Sequence, residues 1–269
     1  MDTLRLLYRT IPGRLLLKPL TAPWVSRLAG RILDHPVSKV LIPGFIESNH
    51  IDMDEYQKVP YHCFNDFFCR KIRPQLRPID PKPDHLIAPC DGLLRIWPIS
   101  QDLVLPVKQS AYTVSSLLRD SSLAARFEGG YCMVFRLCVN HYHRYCFPDD
   151  ALKSHGVRIQ GIYHTVRPAA LEAVPVFQEN TREYCLLRTE HFGTLLQMEV
   201  GAMLVGRICN PPTPSRVSRG QEKGFFQYGG STIILLVQKD MVRIPDHLIS
   251  AQEVPVRMGE MIARAAGPV

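Results

Sequence analysis

Long apolar runs are missing from this 269-residue chain: none exceeds five residues, as in Ile-Ile-Leu-Leu-Val at 233–237. A helix that crosses a bilayer needs roughly 18, so no spanning segment is expected. Cysteine pairs are missing too. The eight cysteines form no Cys-x-x-Cys and no zinc-ribbon spacing. That argues against a redox pair or a metal site and for buried, free thiols in a reducing cytoplasm. Negative charge is nearly absent from the first 33 residues, where Asp2 stands alone against Arg5, Arg9, Arg14, Lys18, Arg27 and Arg31. The same stretch lacks the long apolar core and small-residue cleavage site of a secretory signal. Internal repeats and low-complexity segments are absent. With 46% apolar and 21% charged residues, the chain is expected to bury a core of its own.

What is present is unevenly placed. Of the net charge of +7, the first 33 residues carry +5. A nucleic-acid binder would spread basic residues over its folded body among aromatics; here they sit at one end among leucines, which suits an anionic lipid surface. Residues 1–34 read as a basic amphipathic segment of broken helices, interrupted at Pro12-Gly13 and Pro23. In its last part Trp24, Val25, Leu28 and Ile32 share one helical face, with Arg27 and Arg31 on another. Periodicity alone fits either a helix packed on its own domain or one lying on a membrane. Residues 35–269 read as a single domain. Strand-like stretches dominate from residue 86: 93–97, 131–139, 156–166, 195–208 and 225–237. One internal helix is expected over 114–127, and residues 210–224 read as a loop punctuated by proline and glycine. The fold class is α+β, N-terminal helices followed by a mainly antiparallel β domain; the 22 prolines favour such short elements over a helical bundle.

Three places combine reactive groups with unusual backbone. Gly229-Gly230-Ser231-Thr232 precedes an apolar strand, and its glycines can set Ser231 on a tight turn. Asn140-His141-Tyr142-His143-Arg144-Tyr145-Cys146 offers imidazoles, which move protons near neutral pH. Asp91, in Pro-Cys-Asp-Gly, either caps its own turn or orients a histidine. Together they supply hydroxyl, imidazole and carboxylate, so a Ser/His/Asp hydrolase using Ser231 remains open on chemistry alone.

An ordered set of blocks narrows the choice. Phe64-Asn65-Asp66-Phe67-Phe68-Cys69-Arg70-Lys71 is followed by Arg77-Pro78, Ala88-Pro89-Cys90-Asp91-Gly92, Tyr112-Thr113-Val114 and Phe127-Glu128-Gly129-Gly130. Then come Tyr142-His143-Arg144 with Pro148, Asn180-Thr181-Arg182, Val200-Gly201-Ala202 with Val205-Gly206, and Gly220-Gln221-Glu222-Lys223-Gly224-Phe225 ending in Gly229-Gly230-Ser231-Thr232. Across most of its length the chain resembles the phosphatidylserine decarboxylase family.

The resemblance implies a self-cleaving proenzyme. Ser231 would attack the Gly230 carbonyl to give an ester, and β-elimination would yield dehydroalanine, which becomes a covalent pyruvoyl group at position 231. The cut would leave a β chain ending at 230 and an α chain of residues 231–269. Phosphatidylserine would then lose carbon dioxide through a Schiff base to give phosphatidylethanolamine. The resemblance assigns Asp91 and His143 as orienting carboxylate and base, with Cys146, His141 and Arg144 as auxiliary candidates. It implies association of the two processed chains, a homodimer, and a peripheral position on the cytoplasmic face of an anionic membrane, with no nucleic-acid partner. Cys146 stands where many relatives carry a second histidine, and Thr181 where an acidic residue is frequent. Basic residues 216, 219 and 223 are candidates for the substrate phosphate, set against an ordinary solvated loop. The alternatives are a pyruvoyl-dependent decarboxylase of a soluble amino acid, the serine hydrolase, and an inactive membrane-surface scaffold.

Overall fold

Pro12 and Gly13 open a helix rather than break one. The computed structural model describes residues 6–8, 10–100, 113–166, 170, 173–202, 207–228, 231–249 and 252–267. Helix α1 (Ile11–Leu20) is capped by Thr10, whose hydroxyl accepts from the Gly13 N–H, and Pro12 sits in the first turn, where a missing N–H costs nothing. Pro23 likewise starts α2 (Pro23–Asp34). After a 3-10 segment at 36–41 come α3 (Ile42–Ser48) and α4 (Phe64–Phe68). The N-terminal helices are tied to the body by the Tyr163 N–H on the Thr21 carbonyl (3.0 Å) and by Asn65 on the Asp34 carboxylate (2.8 Å). Their apolar stripe does not face the core. Leu15, Leu16, Trp24, Leu28 and Ile32 are each at least half exposed, whereas Tyr8 and Leu17 are buried.

The single helix expected over 114–127 is two, α5 (Val114–Leu118) and α6 (Ser121–Ala125). Arg119 adopts left-handed backbone (φ 53°) and Asp120 caps the second piece. A last short helix, α7 (Val176–Glu179), precedes the longest hairpin.

Among the described residues, fifteen strands follow the alternating pattern only in part. They are β1 (His85–Ile87), β2 (Gly92–Pro98), β3 (Tyr131–Leu137), β4 (Arg144–Cys146), β5 (Ala151–Lys153), β6 (Val157–Ile159), β7 (Arg182–Thr189), β8 (Thr194–Val200), β9 (Ile208–Cys209), β10 (Ser215–Val217), β11 (Glu222–Phe226), β12 (Ser231–Val237), β13 (Val242–Arg243), β14 (Val254–Val256) and β15 (Met261–Ala265). The expected strand at 156–166 stops at Ile159, and the expected 210–224 loop contains β10 and the start of β11. All recorded pairings between strands are antiparallel, in the order β10-β5-β7-β8-β12-β3-β2-β14 for the main sheet, with β6 on β7. Two smaller sheets, β4-β11-β9 and β1-β15-β13, complete the set. The α+β class is therefore as expected, while the internal helix is split and the stretches expected as strands over 195–208 and 225–237 are broken, β8 ending at Val200 and β11 at Phe226. Strand β12, buried at every residue, runs through the middle of the main sheet between β8 and β3.

Candidate active site

The sheet register gathers the three candidate places at one end. Ser231, first in β12, pairs with Leu137, last in β3, while on the other side of β3 Leu93 pairs with Arg136. The Asp91 turn, the Ser231 strand start and the loop leaving β3 toward His143 therefore share one edge of the sheet. Alternation puts Ser231 on the same face as Ile233 and, through the β8 pairing, Glu199. That face is covered by the β4-β11-β9 sheet, since Lys223 from β11 reaches Glu199 and Gln197 donates to the Cys146 carbonyl.

Ser231 is fully buried (0% exposed), and its Oγ meets no hydrogen-bond partner among the described residues. A buried hydroxyl without a partner is unusual enough to require a chemical explanation. Gly229 and Gly230, including the proposed cleavage position, lie outside the described residues, as do Tyr112, Val205 and Gly206 of the family blocks and Arg5 and Arg9 of the basic segment.

The two histidines are set as opposites. His143 places Nδ1 2.9 Å from the His141 carbonyl. A carbonyl only accepts, so Nδ1 carries the hydrogen and the buried, unpartnered Nε2 carries a lone pair. Burial, reinforced by the charge of Arg70, holds the ring well below the usual histidine range and hence neutral. The Phe68 ring packs on it at 4.2 Å. His141 instead accepts the Cys138 N–H on Nδ1 (3.2 Å), which leaves the hydrogen on Nε2. It too is lowered, by burial, although the Asp91 charge pulls the other way. One loop thus presents a base nitrogen and a donor nitrogen.

Asp91 does not orient His143. Its carboxylate is gripped by Arg77 through Nε (2.8 Å) and Nη2 (2.6 Å), and it accepts the Met258 N–H at 2.9 Å. The geometry gives the orienting role to the His141 carbonyl and makes Asp91 an anchor joining the β1–β2 turn to the segment before β15. Cys146 is a buried thiol pushed up to about 12 by burial, with the Asp91 charge adding to it, so it stays protonated near neutral pH. Arg144 is committed to loop structure, through Nε to the Cys69 carbonyl (2.7 Å) and Nη1 to Glu222 (2.8 Å).

None of the three basic candidates before β12 presents a free cation to this site. Lys223 is buried, with Nζ 2.6 Å from both oxygens of Glu199. Arg219 clamps Asp149 (2.7 Å) and carbonyls of residues 80–83. Arg216 lies on the surface 3.7 Å from Glu190. The burial of Arg77 and Arg70 and the pairing of Lys223 with Glu199 escape patterning, because in sequence these residues look like any solvated charge.

A family model described as Phosphatidylserine decarboxylase matches residues 64–264. The Phosphatidylserine decarboxylase proenzyme 2 of Clostridium acetobutylicum is 39% identical over 264 residues, covering 96% of this chain and 90% of the relative. The Phosphatidylserine decarboxylase proenzymes of Ruminiclostridium cellulolyticum and Clostridium perfringens are 41% and 40% identical. They cover 91% and 88% of this chain, and 84% of each relative.

Proposed function

The chain belongs to the phosphatidylserine decarboxylase family, and from that premise we propose that it is a carboxy-lyase proenzyme that cuts itself before Ser231 and converts phosphatidylserine to phosphatidylethanolamine. The observation that carries this reading is the Ser231 hydroxyl, buried without a partner at the start of β12, beside the loop that holds a neutral His143 with a free Nε2 lone pair.

Each residue has a definable task. His143 Nε2 takes the proton as Ser231 Oγ attacks the Gly230 carbonyl and the peptide becomes an ester. His143 hands that proton to the departing amine of residue 231, and the freed lone pair then accepts the α-proton as the Gly230 carboxylate leaves; water replaces the nitrogen of the dehydroalanine so formed, and ammonia is released. Ser231 fits conversion to a pyruvoyl group, since an orphaned hydroxyl leaves no bond of the fold to be broken. A pyruvoyl carbonyl there would supply an electrophile for the substrate amine and a sink for the electrons left by carbon dioxide. The proton that the decarboxylated carbon requires is assigned to His143 Nε2, once that nitrogen has been protonated, with His141 Nε2–H as a hydrogen-bond donor on the same loop. After the cut, residues 231–269 remain held, because β12 is laddered to both β3 and β8 along its length.

The exposed stripe of α1 and α2, flanked by Arg14, Lys18, Arg27 and Arg31, supports a peripheral, membrane-facing role for residues 1–34. No helix among the described residues is long and apolar enough to cross a membrane. A cavity of about 610 Å³, lined by Ile32, Leu41 and Phe45 among others, opens beside α2 and ends at Phe64 and Tyr228. Both of those rings pack on Phe68, the ring that carries His143. This gives a lipid an apolar route toward the base.

The test is conversion of phosphatidylserine in mixed micelles by the purified protein, alongside Ser231→Ala and His143→Ala. The cut wild type is expected to form phosphatidylethanolamine, the serine variant to stay whole and inactive, and the histidine variant to mature slowly. A cut wild type that decarboxylates free serine but not the lipid would move the reading to a soluble substrate.

A further inference from the structure

Arg70 is a buried cation without a counter-ion. It is 2% exposed, yet it enters no ion pair among the described residues, and both Nε and Nη1 are buried without a partner. Only Nη2 is engaged, with the Tyr56 hydroxyl (3.1 Å) and the Asn140 carbonyl (3.4 Å). The guanidinium lies over the rings of Tyr56 (4.2 Å) and Phe67 (5.0 Å). Removing a charge from water is expensive unless an opposite charge or a full set of acceptors meets it, and the other buried arginines among the described residues have one or the other. Arg77 has Asp91 and Glu55, and Arg182 spends its donors on the carbonyls of Ser116, Leu117, Gln178 and Asn180.

Its neighbours share the vacancy in bonding. Tyr61, whose ring also contacts Phe67 (5.5 Å), has a buried hydroxyl with no partner. His143 Nε2 is a third such group, and Arg70 reaches the loop of His143 directly through Asn140. Arg70 Nε and Nη1 and the Tyr61 hydroxyl, gathered on the Phe67 ring and joined to the His143 loop through Asn140, are unspent buried donors of the kind an anion recruits. Resting on the decarboxylase reading, we propose that Arg70, assisted by the Tyr61 hydroxyl, binds the phosphodiester of the lipid substrate.

The substrate carries two anions, and chemistry selects between them. The carboxylate must surrender its charge as carbon dioxide leaves, so a guanidinium on it would stabilise the ground state more than the transition state. The phosphodiester keeps its charge throughout, and gripping it opposes no step. The α4 segment would thereby measure the distance between the headgroup phosphate and the reacting carbon.

Two measurements test this. The first compares Arg70→Gln with wild type on phosphatidylserine and on an O-acylserine of equal chain length, which has the amine and carboxylate but no phosphate. Loss of charge-assisted hydrogen bonds is expected to lower kcat/KM on the phospholipid by about 30- to 100-fold, mostly through KM. The O-acylserine should change by less than about threefold, and Arg70→Lys should recover part of the phospholipid activity. Equal losses on both substrates, or none on either, overturn the assignment. The second measurement is titration calorimetry with hexyl phosphate, which needs no turnover and remains available if a variant fails to mature. Wild type should bind, with Arg70→Gln and Tyr61→Phe each weaker; no binding by wild type overturns the proposal. Wild type that binds hexyl phosphate but never decarboxylates would sink the decarboxylase reading and leave the anion site standing.

Discussion

Replacing Lys223 by methionine isolates what the buried ion pair contributes. Lys223 and Glu199 are both inaccessible, with Nζ 2.6 Å from each carboxylate oxygen and Asn210 donating to one of them at 2.7 Å. Burial raises Glu199, while the ion pair raises Lys223 against burial; with both contacts so short we hold the pair to be ionic. In Lys223→Met the carboxylate keeps Asn210 alone and is driven to take up a proton. At pH 7 that means protonating a group whose unperturbed value is 4.5, two and a half pH units at about 1.36 kcal/mol each, or about 3.4 kcal/mol. The figure falls within the ~3–5 kcal/mol typical of breaking a buried pair. The penalty has a signature: as pH falls toward 5.5 it should shrink to about 1.4 kcal/mol, because the solvent supplies the proton more readily. Denaturant unfolding in a Ser231→Ala background, which keeps one chain, would measure it. At neutral pH the midpoint should drop by roughly 6–14 °C on heating, and Lys223→Met with Glu199→Leu should regain most of the loss. A destabilisation that is independent of pH, or below about 1 kcal/mol, would refute the reasoning.

Other consequences follow from the same geometry. Because His143 is held below 6.5 by burial, its base form persists under mild acid. The rate of self-cleavage should stay flat as pH falls through 6.5 and decline only near the lowered folded value. A limb centred at or above 6.5 in the rate profile would remove His143 as the base. Cys146, its thiol at about 12, should not titrate in that profile, so Cys146→Ser should leave the limb where it is. Trp24→Asp with Leu28→Asp should weaken binding to phosphatidylserine vesicles by at least about tenfold, since each side chain offers roughly 1.5–3 kcal/mol of burial, while leaving self-cleavage intact. Point changes are the better probe than deletion of 2–33, because Tyr8 and Leu17 belong to the core.

The fold was legible where apolar periodicity and burial coincide. Residues 233–237 read as a buried strand and form the centre of β12, and 93–97 lie within β2. It was illegible where single residues override the pattern. Arg119 turns left-handed and divides a helix that apolar spacing alone would continue. Beyond Ile159, Gly161 lies so close to the Glu179 carbonyl that a Cβ would strike it, and Ile162 bridges to Asn180 in parallel instead of extending the β6–β7 pairing. In the candidate site, glycine context and residue type are what single out Ser231 and His143. No Asp91–His143 link is seen: the Asp91 carboxylate is held by Arg77, and His143 Nδ1 is held by the His141 carbonyl. Buried charges such as Lys223 and Arg70 leave no periodic trace, since a strand edge or helix exit with a cation usually faces water.

The most direct test of the account is the intact mass of freshly purified, denatured protein. It should show two polypeptides divided after Gly230. The smaller, residues 231–269, should be lighter by one ammonia than a serine-terminated peptide and reactive toward a carbonyl-specific hydrazide, whereas Ser231→Ala should give one full-length mass. A folded wild-type protein that remains a single uncut chain of 269 residues, with no carbonyl-reactive terminus, would contradict it.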